Sequence, residues 1–128
     1  MKRAYTFSKK QRVRSRRDFS AVFDGGMRQS RGPLMAVAIP SERPTPRLGL
    51  SVPKRVGTAP RRNRIKRMLR ESFRLMQHDF PRAYDLIIVV RPHEPMILAE
   101  YQRLLSSLMV QLHQLWQRRE GPAGGPAK

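Results

Sequence analysis

The chain has 128 residues, enough for one domain with a modest core, and 39% of them are hydrophobic, which is typical of a globular protein. It has no cysteine, which excludes disulfides and thiolate metal sites, and no apolar run approaches the ~20 residues that cross a bilayer. The formal net charge of +18, from 27 basic and 9 acidic residues, indicates a polyanionic partner.

The positive charge is concentrated in the first part of the chain. Residues 1–74 hold 21 basic and 4 acidic residues, whereas residues 75–128 hold 6 and 5. Arginine supplies 21 of the 27 basic residues, and its planar guanidinium matches phosphate oxygens. Nucleic acid is therefore the expected partner, and an anionic membrane surface is the alternative. The basic N-terminus has no apolar core typical of a secretory signal, so we expect a cytoplasmic protein.

The first predicted helix follows a basic N-terminal segment. Residues 1–14 show little periodicity, and we interpret them as a flexible arm. Ser15 has the position of a helix cap, the helix is predicted over RRDFSAVFD at 16–24, and the two glycines after it end the helix. Its apolar positions recur at i, i+3 and i+4, so they share one face: Phe19, Val22 and Phe23.

Strands are predicted next in the chain. PLMAVAIP at 33–40 and LGLSVPK at 48–54 have strand-like composition or alternation, with a polar, proline-containing turn between them. Because the turn is short, we expect the two to form an antiparallel pair. Residues 27–31 are compatible with a further short strand.

The second half of the chain adds two helices and a strand. A helix capped by Thr58 is predicted to end near Gln77, and DLIIVVR at 85–91 is typical of a central strand buried on both faces. A long amphipathic helix is predicted over 96–118, and the Gly/Pro-rich residues 119–128 are predicted to be a disordered tail.

These elements predict an α+β fold. Their order is helix, two or three strands, helix, strand, helix, which indicates a two-layer sandwich with helices on a mainly antiparallel sheet. Residues 15–118 then form a single α+β domain, for which the charge makes nucleic acid the expected partner.

The helix after Thr58 begins with an unusual density of like charge, PRRNRIKRMLR at 60–70. On a helical wheel an apolar stripe opposes a basic face, and Glu71 is the acidic residue near that face. The face carries Asn63, Lys66, Arg67, Arg70 and Arg74, with Arg62 and Arg64 at its borders. A solvated charged face is the ordinary interpretation, but such faces mix signs, so phosphate binding is the better one. The Asn63 amide either reads a base edge or ribose hydroxyl, or bonds locally to the helix.

The segment RLGLSVPKRVGTAPRRNRIKRMLRESFR, at 47–74, closely resembles the signature of the bacterial ribonuclease P protein subunit. The matching positions are Ser51, Val52, Lys54, Gly57, Arg62, Asn63, Arg64, Lys66 and Arg67. RRDFSAVFDGG resembles the first helix of that family, and the likeness follows the element order over residues 8–118. In place of the usual Gly-Asn-Ala loop, this chain has Gly57-Thr58-Ala59.

The resemblance implies a protein cofactor of a catalytic RNA that removes the 5′ leader of precursor tRNA, with Mg²⁺ acting in the RNA subunit and one protein per RNA. It also implies a left-handed βαβ crossover around the basic helix. The residues implied to bind the catalytic RNA are Lys54, Arg55, Arg61, Arg62, Asn63, Arg64, Lys66, Arg67 and Arg70. Those implied to line a leader-binding cleft are Arg17, Phe19, Phe23, Leu34, Met35 and Val37. The last three replace an aromatic that the family often carries in this strand.

No protein-based catalysis is predicted. The histidines, His78, His93 and His113, lie in different elements without metal or triad spacing, and the acidic residues form no cluster in the sequence. We therefore expect no catalytic residue and no metal site in the protein itself. A ribosomal or other structural RNA-binding protein without processing activity is the alternative from a different functional class.

Overall fold

The computed structural model describes residues 9–120, which form three α-helices and a four-stranded sheet. The helices are α1 (Arg16–Gly25), α2 (Ala59–Met76) and α3 (Leu98–Glu120). The strands are β1 (Met27–Arg31), β2 (Leu34–Pro40), β3 (Arg47–Ser51) and β4 (Tyr84–Val90). The α+β class and the element order are confirmed, including the short strand over 27–31.

The predicted N-cap residues precede α1 and α2. The Ser15 hydroxyl accepts the Asp18 amide at 3.0 Å before α1, and the Thr58 hydroxyl accepts the Arg61 amide at 3.3 Å before α2. Each cap satisfies an amide that the first helical turn leaves without a partner. Thr58 therefore caps the basic helix as predicted.

The strand order is β1-β2-β4-β3, so the predicted antiparallel pairing of β2 with β3 is wrong. β4 lies between them, antiparallel to β2 and parallel to β3. The six-residue connection from Pro40 to Arg47 spans up to about 20 Å, more than the ~10 Å across an intervening strand. The central position stabilises β4 more than it would the other strands, because the continuous apolar run of β4 is buried there on both faces. The β3–α2–β4 unit is the parallel crossover implied by the resemblance, and its hand stays a prediction.

The sheet has a core on each face. On one face α2 and α3 cover the sheet, and the fully buried side chains there include Leu34, Leu86, Ile65, Leu69, Phe73, Leu108 and Leu112. On the other face α1 packs through Val22 against Val37 and Ile87. The two-layer description therefore holds for α2 and α3, while α1 adds a partial third layer.

The packed domain begins before the predicted start at residue 15, and its last helix ends two residues after the predicted end at 118. Val13 is 3% exposed and its amide donates to the Leu48 carbonyl at 2.9 Å, so residues 9–14 pack along β3 instead of forming an arm. At the other end α3 continues to Glu120, two residues into the predicted tail. Residues 1–8 and 121–128, which hold the rest of the predicted arm and tail, lie outside the described residues.

The strand order can be tested with paired cysteines, because the chain has none of its own. Ser51 and Val89 are register partners, so Ser51→Cys with Val89→Cys should oxidise readily to a disulfide. Met35 is the partner of Val89 on the other side, about 10 Å from Ser51 across β4. Met35→Cys with Ser51→Cys should therefore stay reduced under the same mild oxidation, as read by free-thiol titration. Equal oxidation of both pairs would contradict the strand order.

Candidate nucleic-acid interface

The loop before α2 presents two basic side chains to solvent. Lys54 and Arg55 are exposed in a short 3-10 turn that follows β3, and Val56 beside them is buried and anchors the turn. The next residue, Gly57, has φ 154°, and a Cβ there would lie 2.5 Å from the Arg61 side chain. A glycine thus lets the Arg61 side chain pack against the turn.

The solvent-facing side of α2 carries the predicted basic face. Ile65, Leu69 and Phe73 are fully buried, which turns the opposite side outwards. There Asn63, Arg64 and Arg67 are exposed, while Arg61, Arg62, Lys66 and Arg70 are half-buried. A groove of about 510 Å³ runs along this face and is lined by Arg12, Asn63, Arg67, Arg70, Glu71 and Arg74. The structure therefore brings most of the predicted RNA-binding residues onto one surface.

Arg12 belongs to this surface, although the sequence placed it in a flexible arm. It forms a parallel bridge with Leu48 at the edge of β3, and the neighbouring Gln11 amide donates to the Gln77 side chain at 2.6 Å. The isolated apolar residue Val13, within a run of basic residues, was the signal in the sequence that this segment packs against the fold.

The groove concentrates like charge. The pKa of Arg70 is lowered first by burial and second by the charge of Arg12. Arg74, in contrast, is neutralised by Glu71, with bonds of 3.0 and 2.7 Å that also lower the pKa of the Glu71 carboxyl. An anion bound beside Arg12 and Arg70 would relieve their repulsion, which is the electrostatic condition for a phosphate site.

Two arginines at the start of α2 already have protein partners. Arg62 donates to the Gly57 carbonyl at 3.2 Å, so it also holds the loop. Arg61 forms a 3.4 Å ion pair with the exposed Glu94, and such a pair is weak because water screens both charges. Arg61 and Arg64 border a second groove of about 370 Å³. Arg61 and Arg64 therefore stay accessible, whereas Arg62 serves both the fold and the surface.

Phe19 and Phe23 lie on the other face of the sheet. Both rings are half-buried, with centroids 6.3 Å apart and planes tilted by 41°. Phe19 borders a groove of about 390 Å³ whose lining also includes Arg12, Arg14, Gly49, Lys66 and Arg70. The predicted aromatic helix and the predicted basic helix therefore meet in one groove, which the sequence alone did not indicate.

Two of the predicted cleft residues are placed differently. Leu34 points to the opposite face of the sheet and is fully buried in the core there, so its assignment to the cleft is wrong. Successive strand residues alternate between faces, and Leu34 is out of phase with Met35 and Val37. Val37 is on the cleft face but fully buried beneath α1, so it supports the cleft without lining it. Met35 is half-buried on that face, and Arg17 is exposed on α1.

Sequence reasoning missed polar residues at the β1 side of the same face. The Arg28 guanidinium stacks 5.4 Å from the centre of the Phe23 ring, and Arg91 donates to the Ser30 hydroxyl at 3.2 Å. In the sheet register Arg28 is beside Val37 and Ser30 is beside Met35. Arg28 and Ser30 therefore lie on the face of the sheet that α1 covers. Only the strand register reveals this, because Arg91 is 61 residues from Ser30 in the chain.

The histidines have structural partners. His93 bonds the Tyr101 hydroxyl at 2.8 Å, and His113 bonds the Tyr84 hydroxyl at 2.8 Å, where burial lowers the pKa of the imidazole. Within residues 9–120 there is no group of three or more His, Cys, Asp or Glu side chains that could hold a metal ion. Over the same residues, none of the helices combines the length and apolar character of a membrane span.

Comparisons with known proteins agree with this geometry. The family model described as Ribonuclease P matches residues 7–118. The structure of the Staphylococcus aureus RNase P protein is similar with a TM-score of 0.70 and 27% identity, covering 84% of this chain and 98% of that one. The Thermotoga maritima RNase P protein gives 0.71 and 28%, covering 78% and 96%. The chain therefore belongs to the ribonuclease P family, as a bacterial protein subunit of the enzyme.

Proposed function

We propose that the chain acts as the protein cofactor of ribonuclease P, binding both the catalytic RNA and the 5′ leader of precursor tRNA. Family membership supports an RNA partner and a role in tRNA processing. The observation that carries the finer proposal is the groove in which Lys66 and Arg70 of α2 meet Phe19 of α1. Phosphate-binding and base-stacking side chains in one groove suit a single RNA strand that passes between two surfaces.

The exposed side of α2 is proposed to bind the catalytic RNA. Guanidinium groups form strong, charge-assisted hydrogen bonds with phosphate oxygens, and a helix carrying several of them can follow a folded RNA backbone. Binding also removes the repulsion between Arg12 and Arg70. We expect one protein per RNA, with Mg²⁺ held by the RNA. Asn63 is exposed in the middle of this face, where its amide suits a base edge or ribose hydroxyl.

The cleft beside α1 is proposed to bind the unpaired leader. Phe19, Phe23 and Met35 offer half-buried apolar surface, and stacking on aromatic rings accepts any base. Arg17 and Arg28 supply positive charge at the borders for the leader phosphates. The leader is the part of precursor tRNA that mature tRNA lacks, so binding here favours substrate over product.

The proposed RNA surface can be tested by salt dependence. If the protein engages roughly six to ten phosphates, a plot of the logarithm of the association constant for the RNA subunit against the logarithm of the salt concentration should have a negative slope of several units. Arg67→Ala removes one phosphate contact and should reduce that slope by about one unit. Arg118→Ala removes the same charge from the exposed end of α3 and should leave the slope unchanged. Equal effects of the two changes would mean that α2 is not the interface.

The leader cleft can be tested with Phe19→Leu. Loss of one stacking ring should weaken precursor tRNA binding to the assembled complex by roughly 1–3 kcal/mol, with mature tRNA unaffected. Phe73→Leu is the matched control because that ring is fully buried on the opposite face of the sheet. It should lower stability without changing the ratio of the two affinities. A Phe19→Leu protein that binds both tRNAs equally weakly would contradict the leader assignment.

The division of labour predicts that the purified protein alone cuts no precursor tRNA with Mg²⁺ present. Adding the RNA subunit should restore cleavage, and adding the protein to that RNA should lower the Mg²⁺ concentration needed. A ribosomal or other structural RNA-binding protein would leave the Mg²⁺ requirement unchanged. Cleavage that follows the protein through purification after nuclease removal of all RNA would overturn the assignment of catalysis to the RNA.

A further inference from the structure

We propose that Arg47 and Gly49 of β3 are positioning residues for substrate recognition, which fix the place of the Phe19 ring over the sheet. The inference rests on the proposed leader binding and adds to it the part of the fold that sets the geometry of the cleft. Arg47 acts through the first turn of α1, and Gly49 acts by direct contact with the ring.

Arg47 joins the sheet to α1 through an ion-pair cluster with Asp85 and Asp18, in which Arg47 and Asp85 are largely buried and the Asp18 side chain is 35% exposed. Its side chain is 9% exposed and donates from Nε and Nη2 to the two Asp85 carboxylate oxygens at 2.9 and 2.6 Å. Its third nitrogen, Nη1, donates to Asp18 at 3.2 Å. Arg47 and Asp85 are register partners, so the sheet itself fixes the direction of the guanidinium. Such a planar three-way arrangement restricts orientation more than a single ion pair does.

Asp18 transmits this restriction to the aromatic ring. It lies in the first turn of α1, immediately before Phe19, and Val22 is the one buried residue of that helix. A helix that has so little apolar anchoring needs a second attachment to keep a defined place on the sheet. Buried ion pairs contribute little net stability compared with apolar residues of similar volume. The role of the Arg47 cluster is therefore better sought in orientation than in stability.

Gly49 supplies the surface on which the ring rests. It lies two residues after Arg47 and on the same face of β3, because strand residues alternate. A Cβ at this position would lie 2.9 Å from Phe19 Cζ, 3.2 Å from Phe19 Cε1 and 3.0 Å from Val13 Cβ. The edge of the ring is therefore in contact with bare backbone. A side chain at position 49 would therefore displace the edge of the ring, and it would also press on Val13 Cβ.

The position of the ring matters because the same groove holds Lys66 and Arg70. A leader base stacked on Phe19 would lie beside the basic side chains that we assign to the catalytic RNA, so the place of the ring decides whether the leader fits this groove. A displaced ring would still be aromatic and apolar but would no longer meet the base in that position. We therefore expect a loss of substrate preference without a loss of the basic surface.

The test uses two independent changes in the assembled complex. Gly49→Ala displaces the ring directly, and Asp18→Asn removes the charge that Arg47 holds on α1 while keeping the Ser15 cap, which bonds the backbone amide of residue 18. Each should lower the ratio of precursor to mature tRNA affinity about threefold or more, with affinity for the RNA subunit unchanged. Leu108→Ala, in the core on the opposite face, is the control for lost stability and should leave the ratio unchanged.

A double-mutant cycle separates positioning from general weakening. In a Phe19→Leu background, Gly49→Ala and Asp18→Asn should cause no further loss of the ratio, because they act through that ring. Losses that add to the effect of Phe19→Leu, or that Leu108→Ala reproduces, would overturn the positioning role. The same holds if both changes are silent while Phe19→Leu is not. If Phe19→Leu itself leaves the ratio unchanged, the leader-binding proposal fails first, and this inference fails with it.

Discussion

The burial of β4 on both faces is the constraint on which the rest of the structure depends. A strand with so continuous an apolar run is stable when covered from both sides, and this requires neighbours at both edges and helices above and below. Because β4 needs a neighbour at each edge, β2 and β3 pair with its opposite edges and not with each other. In this arrangement β3 is parallel to β4. The need for two covers places α2 and α3 on one face and α1 on the other. The basic helix and the aromatic helix are therefore separated by the sheet.

The two helices meet again at the free edge of β3. Residues 9–14 pack along this edge and bring Arg12 close to Arg70, and Phe19 reaches the same edge from the other face. Positive charge accumulates there because the apolar side of α2 must face the sheet, which leaves its arginines outward. The like-charge repulsion is a cost of the free protein, and it makes binding of a polyanion more favourable. Stability of the free chain and affinity for RNA are thus opposed at this edge.

Local signals in the sequence predicted much of this arrangement. The caps at Ser15 and Thr58, the buried run of β4 and the basic face of α2 all depend on residues close together in the chain, and the structure has them as predicted. The pairing of β2 with β3 was mispredicted because a short connection normally joins neighbours, and nothing local shows that a third strand lies between. Leu34 was assigned to the cleft because it lies in the strand predicted to line it. Side chains of a strand alternate between the two faces of the sheet, and which of them face the cleft is known only once the register with β4 is known.

Contacts between distant residues could not be predicted in this way. The contact of Arg91 with Ser30 and that of Arg47 with both Asp85 and Asp18 arise only after the strands have taken their order. In the sequence Arg47 precedes an apparent half-buried strand and resembles any other basic residue of the charged half. Once β3 lies beside β4, the same side chain is nearly buried and joins the sheet to α1. An arginine counted at first toward the RNA-binding charge therefore acts inside the fold, and the net charge of the chain overstates the charge that its surface offers to RNA.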